Sequence, residues 1–311
     1  VTIRQVFIAA LVTGIFATAA PIRTGTDSFE LEYRVKLPAT DHPARLWLPL
    51  AKTDAFQQVT IRQKISANAI VKTDSVYSND ILMTELQPSA EATEVVIAYS
   101  VRRQEKTEHA VTEPFTPELW TRAQALVPKA EVFRETAVAV TAGIDDELAR
   151  GRALYDHVLE HMSYDKSGTG WGNDDAVYAC NSAAGNCTDF HAYFIALTRA
   201  IDIPARFAIG FTIPPDSDVG KIGGYHCWAE FVADGKWIPV DISEGWKHPE
   251  LKAYYFGHHP ANRLELSIGR DIVVDPLPAS GPFNYLVYPL LQVGDELVAI
   301  EHEFSFKRLG N

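Results

Sequence analysis

The stretch Tyr225-His226-Cys227-Trp228-Ala229-Glu230-Phe231-Val232-Ala233-Asp234-Gly235-Lys236-Trp237-Ile238-Pro239-Val240-Asp241 decides how this 311-residue chain is read. Asp-Gly between two apolar-rich runs is a two-residue hairpin signal, since both residues tolerate the positive φ of a turn whose twist matches its strands. With Asp234 and Gly235 as the loop, Trp228 lies opposite Asp241, and His226 lies diagonal to Asp241 on the same face. That face carries His226, Trp228, Glu230, Val232, Trp237, Pro239 and Asp241. The other carries Cys227, Ala229, Phe231, Ala233, Ile238, Val240 and Ile242, and is almost wholly apolar. One face holds chemical groups and the other resembles a packed core.

Upstream, Gly185-Asn186-Cys187-Thr188-Asp189 leads a Gly-rich segment into a helix whose stripe is Phe190, Tyr193, Phe194, Leu197, Ala200 and Ile201, stopped by Ile203-Pro204. Asn186 suits the N-cap. A thiol at that position feels the positive end of the helix dipole and free backbone N–H groups, which favour a thiolate and can hold an oxyanion. On its own Cys187 reads as a small buried apolar residue. The hairpin gives it company: a carboxylate on one imidazole nitrogen fixes the tautomer and leaves the other nitrogen for the thiol. His191, one turn after Cys187, is an alternative base, though a residue one turn deeper points at packing neighbours.

Further out, Asp145 to Met162 has helical spacing after an acidic start, and Ser163 to Gly185, rich in Gly, Asp and Asn, reads as a surface loop. Strands are expected at Arg206–Ile213, Tyr225–Val232 and Trp237–Ile242. From Ser28 to Arg103 the period is two, with runs at Phe29–Val35, Ala44–Leu50, Val59–Ile65, Ile81–Leu86 and Val95–Val101, which predicts a small antiparallel sandwich. Pro114 and Pro117 mark a linker. The tail from Asp271 to Leu309 is β-rich. The expected organisation is a signal peptide over residues 1–20, a β domain over 28–105, linker and helices over 106–144, a catalytic core over 145–260, and a β-rich extension of that core over 261–311. The signal peptide rests on the apolar run Val6–Ala20, too short to span a bilayer and ending Ala17-Thr18-Ala19. It predicts a periplasmic or secreted bacterial protein with no membrane anchor after cleavage.

Composition excludes several classes. At 47% hydrophobic and 22% charged the chain is globular, and a net charge of −12 without a Lys/Arg cluster gives no footprint for nucleic acid. Three cysteines, Cys180, Cys187 and Cys227, leave at least one thiol unpaired; Cys227 is expected to be buried and inert, and a Cys180–Cys227 disulfide is left open. His248, Glu250, His258 and His259 match no zinc spacing and read as solvent-exposed loop residues, and no calcium loop is present, so neither metal nor cofactor is expected. Trp171, Trp228, Trp237, Trp246, Tyr254 and Tyr255 either line a groove or fill the core, with core the default.

Three blocks resemble those of transglutaminase-like domains: Gly185-Asn186-Cys187-Thr188-Asp189-Phe190 with the helix through Ile203-Pro204-Ala205-Arg206; Tyr225-His226-Cys227-Trp228-Ala229-Glu230; and Trp237-Ile238-Pro239-Val240-Asp241. The third block departs from the usual Asp-Pro, since Ile242-Ser243-Glu244 follows Asp241. The resemblance covers roughly residues 145 to 245. It implies an α+β fold in which a papain-like core of helices on an antiparallel sheet or barrel follows the sandwich, with Cys187, His226 and Asp241 as a triad. It also implies an upstream side chain at the oxyanion, for which Trp171 and Asn181 are candidates beside Trp228 as a substrate contact. The expected chemistry is acyl transfer on peptide, protein or peptidoglycan-peptide amides, by hydrolysis rather than crosslinking. The alternative is a catalytically silent binding or scaffolding module of the same fold.

Overall fold

In β1 (Thr26–Leu37) buried and less buried residues alternate along most of its length, the signature of a strand with one face on a core. A computed structural model describes residues 22–64, 69–112 and 114–310, so the expected signal peptide lies outside the described residues. β1 pairs with β6 (Thr93–Gln104) and β17 (Glu301–Arg308), and β3 (Gln57–Lys64) and β11 (Val219–Lys221) complete the sheet in the order β11-β17-β1-β6-β3. A second sheet runs β16-β15-β2-β5-β4, from β2 (Ala44–Leu50), β4 (Ile70–Thr73), β5 (Asp80–Leu86), β15 (Leu290–Val293) and β16 (Glu296–Val298). Phe29, Leu31 and Tyr33 of β1, Leu46 and Leu48 of β2, and Phe304 of β17 share one buried cluster. Each such side chain taken from water contributes about 1.5–3 kcal/mol.

This assembly differs from the expected extension of the core over 261–311. Only β14 (Arg263–Ile268) joins the core sheet, whereas β15 pairs with β2 and β17 with β1 in registers such as Leu31 with Phe306. Period-two patterning names a strand but not its partner, because pairing across some 270 residues is decided by which apolar face needs a cover.

The core sheet has the order β14-β10-β12-β13-β7, from β7 (His109–Ala110), β10 (Ala205–Thr212), β12 (His226–Ala233), β13 (Lys236–Val240) and β14. Ala229 faces Val240 and Val232 faces Trp237, the register expected from the Asp234-Gly235 turn, where both residues take positive φ. On the apolar side lies α5 (Cys187–Ala200), with Phe194 edge-on to Phe231 at 5.9 Å. Packed around α5 are α2 (Glu131–Val140) and α3 (Glu147–His161), the latter capped by Asp146. On the other side Glu230 and Glu265 meet Lys106 at 3.3 and 3.0 Å, forming a buried ionic layer that Arg206 joins through Glu230. Burial on both faces makes β12 inaccessible along its length.

Short elements surround this core. α1 (Pro117–Thr121) occupies the expected linker. Ser163–Gly185 is more ordered than a plain surface loop: β8 (Ser163–Tyr164) pairs in parallel with β9 (Ala184–Gly185), and α4 (Ala176–Ser182) lies between them. Asp175 accepts from the N–H groups of Val177 and Tyr178, so a capping residue starts a helix too short to declare an apolar stripe. The expected strand through Ile242 instead ends at Val240, and α6 (Ile242–Lys247) begins with Asp241 as its N-cap. Among the described residues no helix is long and apolar enough to cross a membrane.

Candidate active site

Asn186 caps α5: its Oδ1 accepts from the Thr188 N–H at 2.9 Å, and Asp189 Oδ2 returns a bond from the Asn186 N–H at 2.9 Å. This capping box fixes the first turn and with it Cys187. The same Asp189 oxygen accepts from the Gly172 N–H at 2.7 Å, which ties the loop carrying Trp171 to the start of the helix.

Asp241, at the opposite end of β13, is wholly buried and satisfied from four directions. Its Oδ2 accepts from His226 Nε2 at 2.7 Å and Arg263 Nη2 at 2.6 Å; its Oδ1 accepts from Ser243 Oγ and the Glu244 N–H, both at 3.0 Å. Ser243 and Glu244, just beyond the Ile242 that stands where Asp-Pro would have its proline, supply two of these bonds. Burial alone opposes the carboxylate, but the charges of His226 and Arg263 outweigh it and hold Asp241 well below the usual carboxylate range.

With Nε2 committed to Asp241, Nδ1 is the imidazole nitrogen left for Cys187, and the two groups act on each other's ionisation. Burial works against a charged imidazole, yet the charge and hydrogen bond of Asp241, followed by the Cys187 contact, raise the pKa of His226 to about 9. A hydrogen bond from Cys227 is the largest influence on the Cys187 thiol; with His226 it overcomes burial and brings the thiol well below its ordinary value. The favoured state is a thiolate facing an imidazolium.

His191 is fully buried and does not face the thiol as a base. Its Nδ1–H donates to the Cys187 carbonyl at 2.6 Å and its Nε2 accepts from the Ile242 N–H at 3.3 Å, while burial lowers its pKa to about 4. It is a neutral strut between α5 and α6.

The remaining residues singled out from sequence separate. Trp171 is half-exposed beside the α5 N-terminus, with Lys166 Nζ 5.8 Å from its ring. Asn181 is exposed on α4, its side chain without a hydrogen bond among the described residues. Trp228 is fully buried: it stacks under the Arg263 guanidinium at 4.8 Å, and its Nε1–H donates to Glu265 at 3.3 Å, so it supports the site and cannot touch substrate. Trp237 and Tyr255 are core residues, whereas Trp246 is 36% exposed beside Tyr164 and Phe190. His259 is buried rather than solvent-exposed: its Nε2 bonds the Val240 carbonyl at 3.1 Å, and its backbone forms an isolated antiparallel bridge with Lys106. Cys180, Cys187 and Cys227 are all free thiols. Cys227 is buried as expected, but the apolar face of β12 carries it against the first turn of α5, and it is not isolated from the nucleophile position.

Sequence reasoning missed Arg263 and the tyrosines near the start of α5. Tyr225 accepts from Asn186 Nδ2 at 3.1 Å, and its ring centroid lies 5.8 Å from that of Tyr285 and 5.6 Å from that of Tyr288. Burial first and then the Cys187 charge raise the pKa of Tyr164 to about 12, and the same charge reaches Tyr225, Tyr285 and Tyr288. No local pattern signals Arg263, which arrives from β14 after the motif has ended.

Residues 134–242, holding all three of Cys187, His226 and Asp241, match the family model of the transglutaminase-like superfamily. This is a transglutaminase-like core. Over 300 residues the chain is 27% identical to an uncharacterized protein of Haemophilus influenzae, spanning 81% of each. A Cytophaga hutchinsonii structure, provisionally described as a cysteine protease, superposes with a TM-score of 0.61 at 16% identity, covering 93% of this chain and 92% of that one. That likeness extends the shared fold beyond the transglutaminase-like core to the strands before and after it. The periplasmic domain of TgpA from Pseudomonas aeruginosa aligns more loosely, with a TM-score of 0.37 and 19% identity over 75% of this chain and 78% of that domain.

Proposed function

We propose that the protein is a cysteine hydrolase of peptide or isopeptide amides, exported to the bacterial periplasm, with Cys187 as nucleophile, His226 as acid and base, and Asp241 as orienter. The observation that carries this reading is the His226 Nε2 to Asp241 Oδ2 bond of 2.7 Å, which leaves Nδ1 free for the thiol of Cys187 at the start of α5. The Cys187 thiolate attacks the carbonyl, the oxyanion forms beside the α5 N-terminus, and imidazolium His226 gives its proton to the leaving amine. Water, deprotonated by the now neutral His226, resolves the thioester. Hydrolysis is favoured over crosslinking because water is present at far higher concentration than any free amine and resolves the thioester unless the site selects the amine. The tyrosines and the exposed edge of Trp246 suit an extended peptide, including the peptide of peptidoglycan.

The test is a panel of peptide and peptidoglycan-peptide amides incubated with the parent and with Cys187→Ala, reading amine release by mass spectrometry with and without a primary-amine acceptor. Release that needs Cys187 and yields the free acid even with acceptor present is expected. Product that carries the acceptor would assign crosslinking, and a Cys187 inert to iodoacetamide at neutral pH would assign the silent binding module.

A further inference from the structure

Asn186 and Tyr225 are the residues directly before Cys187 and His226. Their side chains meet, with Asn186 Nδ2 donating to the Tyr225 hydroxyl at 3.1 Å. The orientation of that amide is fixed. Its Oδ1 accepts from the Thr188 N–H at 2.9 Å and from the Thr188 hydroxyl at 2.6 Å, so the nitrogen is left to face the phenol. Tyr225 is held in turn: its backbone N–H donates to the Tyr288 hydroxyl at 3.2 Å, and its ring lies against those of Tyr285 and Tyr288. Tyr285 donates to the Gly172 carbonyl at 3.3 Å, and the N–H groups of Gly172 and Asn186 share Asp189 Oδ2. The chain of contacts thus returns to the residue from which it began. A Cβ at residue 172, where φ is +79°, would lie 3.1 Å from Asn186 Nδ2, so a glycine lets the loop backbone close over the amide.

We propose that Tyr225 is a positioning residue, its hydrogen bond to Asn186 setting the separation and facing of the Cys187 sulfur and the His226 imidazole. This rests on the triad reading and deepens it. Asp241 holds the far nitrogen of the imidazole and so fixes His226 relative to β13. The start of α5 needs its own tie to β12. His191 supplies one a turn deeper, about 5.4 Å along the helix, where it meets Cys227 Sγ at 3.5 Å, the Ile242 N–H at 3.3 Å and Asp241 Oδ1 at 3.6 Å. A helix held only there can pivot at its first residue. The Asn186–Tyr225 bond acts one residue, about 3.8 Å of chain, from the nucleophile on one side and from the base on the other. A small error in such a placement is costly, because a near-attack arrangement tolerates little displacement. Burial, and after it the Cys187 charge, hold the Tyr225 phenol well above its ordinary pKa, so the bond itself does not change while the thiol titrates.

The test is a double-mutant cycle read by iodoacetamide alkylation of Cys187 against pH, in the parent, Tyr225→Phe, His226→Ala and the two together, with peptide mapping to separate the three thiols. Phe keeps the ring contacts and removes only the hydroxyl. In Tyr225→Phe the ionisation midpoint of Cys187 should rise by about 0.7 pH unit, the fivefold effect of one net hydrogen bond on the paired arrangement. With His226 already replaced, the same change should move nothing, since no imidazole is left to align. A Phe variant that titrates like the parent overturns the proposal. So does an equal shift in both backgrounds, the mark of a purely structural role. Asn186→Ser removes the same bond from the other side and keeps a capping oxygen, so it should shift the midpoint as Tyr225→Phe does. If Tyr225→Phe does not fold, Asn186→Ser decides, and a Ser variant with the parent's midpoint overturns the proposal. Failure of the triad reading has a different mark, a parent Cys187 that is unreactive or indifferent to His226→Ala.

Discussion

Replacing Arg263 by Met tests the least visible support of the site. Arg263 is 1% exposed, bonds the Asp241 oxygen that also holds His226, and lies against Trp228 and Tyr255 at 4.8 and 6.0 Å. Met is unbranched and apolar and fills much of the same slot, so the change isolates the ion pair. Breaking a buried pair by removing one partner costs about 3–5 kcal/mol. Because Asp241 keeps three other donors, the loss should lie near the lower end, about 3 kcal/mol, and a domain with about 5–15 kcal/mol to spare still folds. Urea unfolding followed by fluorescence should show the midpoint falling by about 1 M, given slopes of roughly 1–3 kcal/mol per M for small proteins. Direction matters more than size for the second readout. Without the guanidinium, the Asp241 charge acts on His226 unopposed, so the imidazolium should hold its proton beyond the present value of about 9. The alkaline limb of amide hydrolysis should move to higher pH. A stability loss under about 1 kcal/mol, or a limb that stays or moves to lower pH, would refute the claim that Arg263 shares the Asp241 charge with His226.

Three further outcomes are expected. The parent's kcat/KM for a peptide amide should fall on the alkaline side near pH 9, where His226, raised by Asp241 against its burial, loses the proton it must give the leaving amine; an alkaline limb near the ordinary imidazole value would contradict this. Asn186→Ala removes the α5 cap and the partner of Tyr225, and should lower unfolding free energy by about 1–2 kcal/mol in the same urea assay. Gly210→Ala would place a Cβ 1.8 Å from the Leu264 carbonyl oxygen, where the β10–β14 register shifts, so the strands must separate at a cost of about 1–3 kcal/mol or more, read as a lowered melting temperature.

The sequence alone determined the parts of this protein that are local. A two-residue turn fixes the register of its own hairpin, so Asp234-Gly235 placed Ala229 across from Val240 and His226 within reach of Asp241. A capping residue and an apolar stripe define a helix within a few turns, so Asn186 and the residues after it announced α5 with Cys187 at its start. Tertiary structure decided whatever depends on distant partners. The strands after residue 290 cover the N-terminal sheets instead of extending the core, because an apolar edge accepts any strand of matching pattern. Arg263 reaches Asp241 only once β14 has paired with β10, and Trp228, which in the hairpin shares the face of the reactive groups, is sealed by that same arginine. Cys227 shows the limit most clearly. Alternation along β12 correctly put it on the apolar face, but only the packing of α5 on that face set its sulfur 3.5 Å from His191 Nδ1.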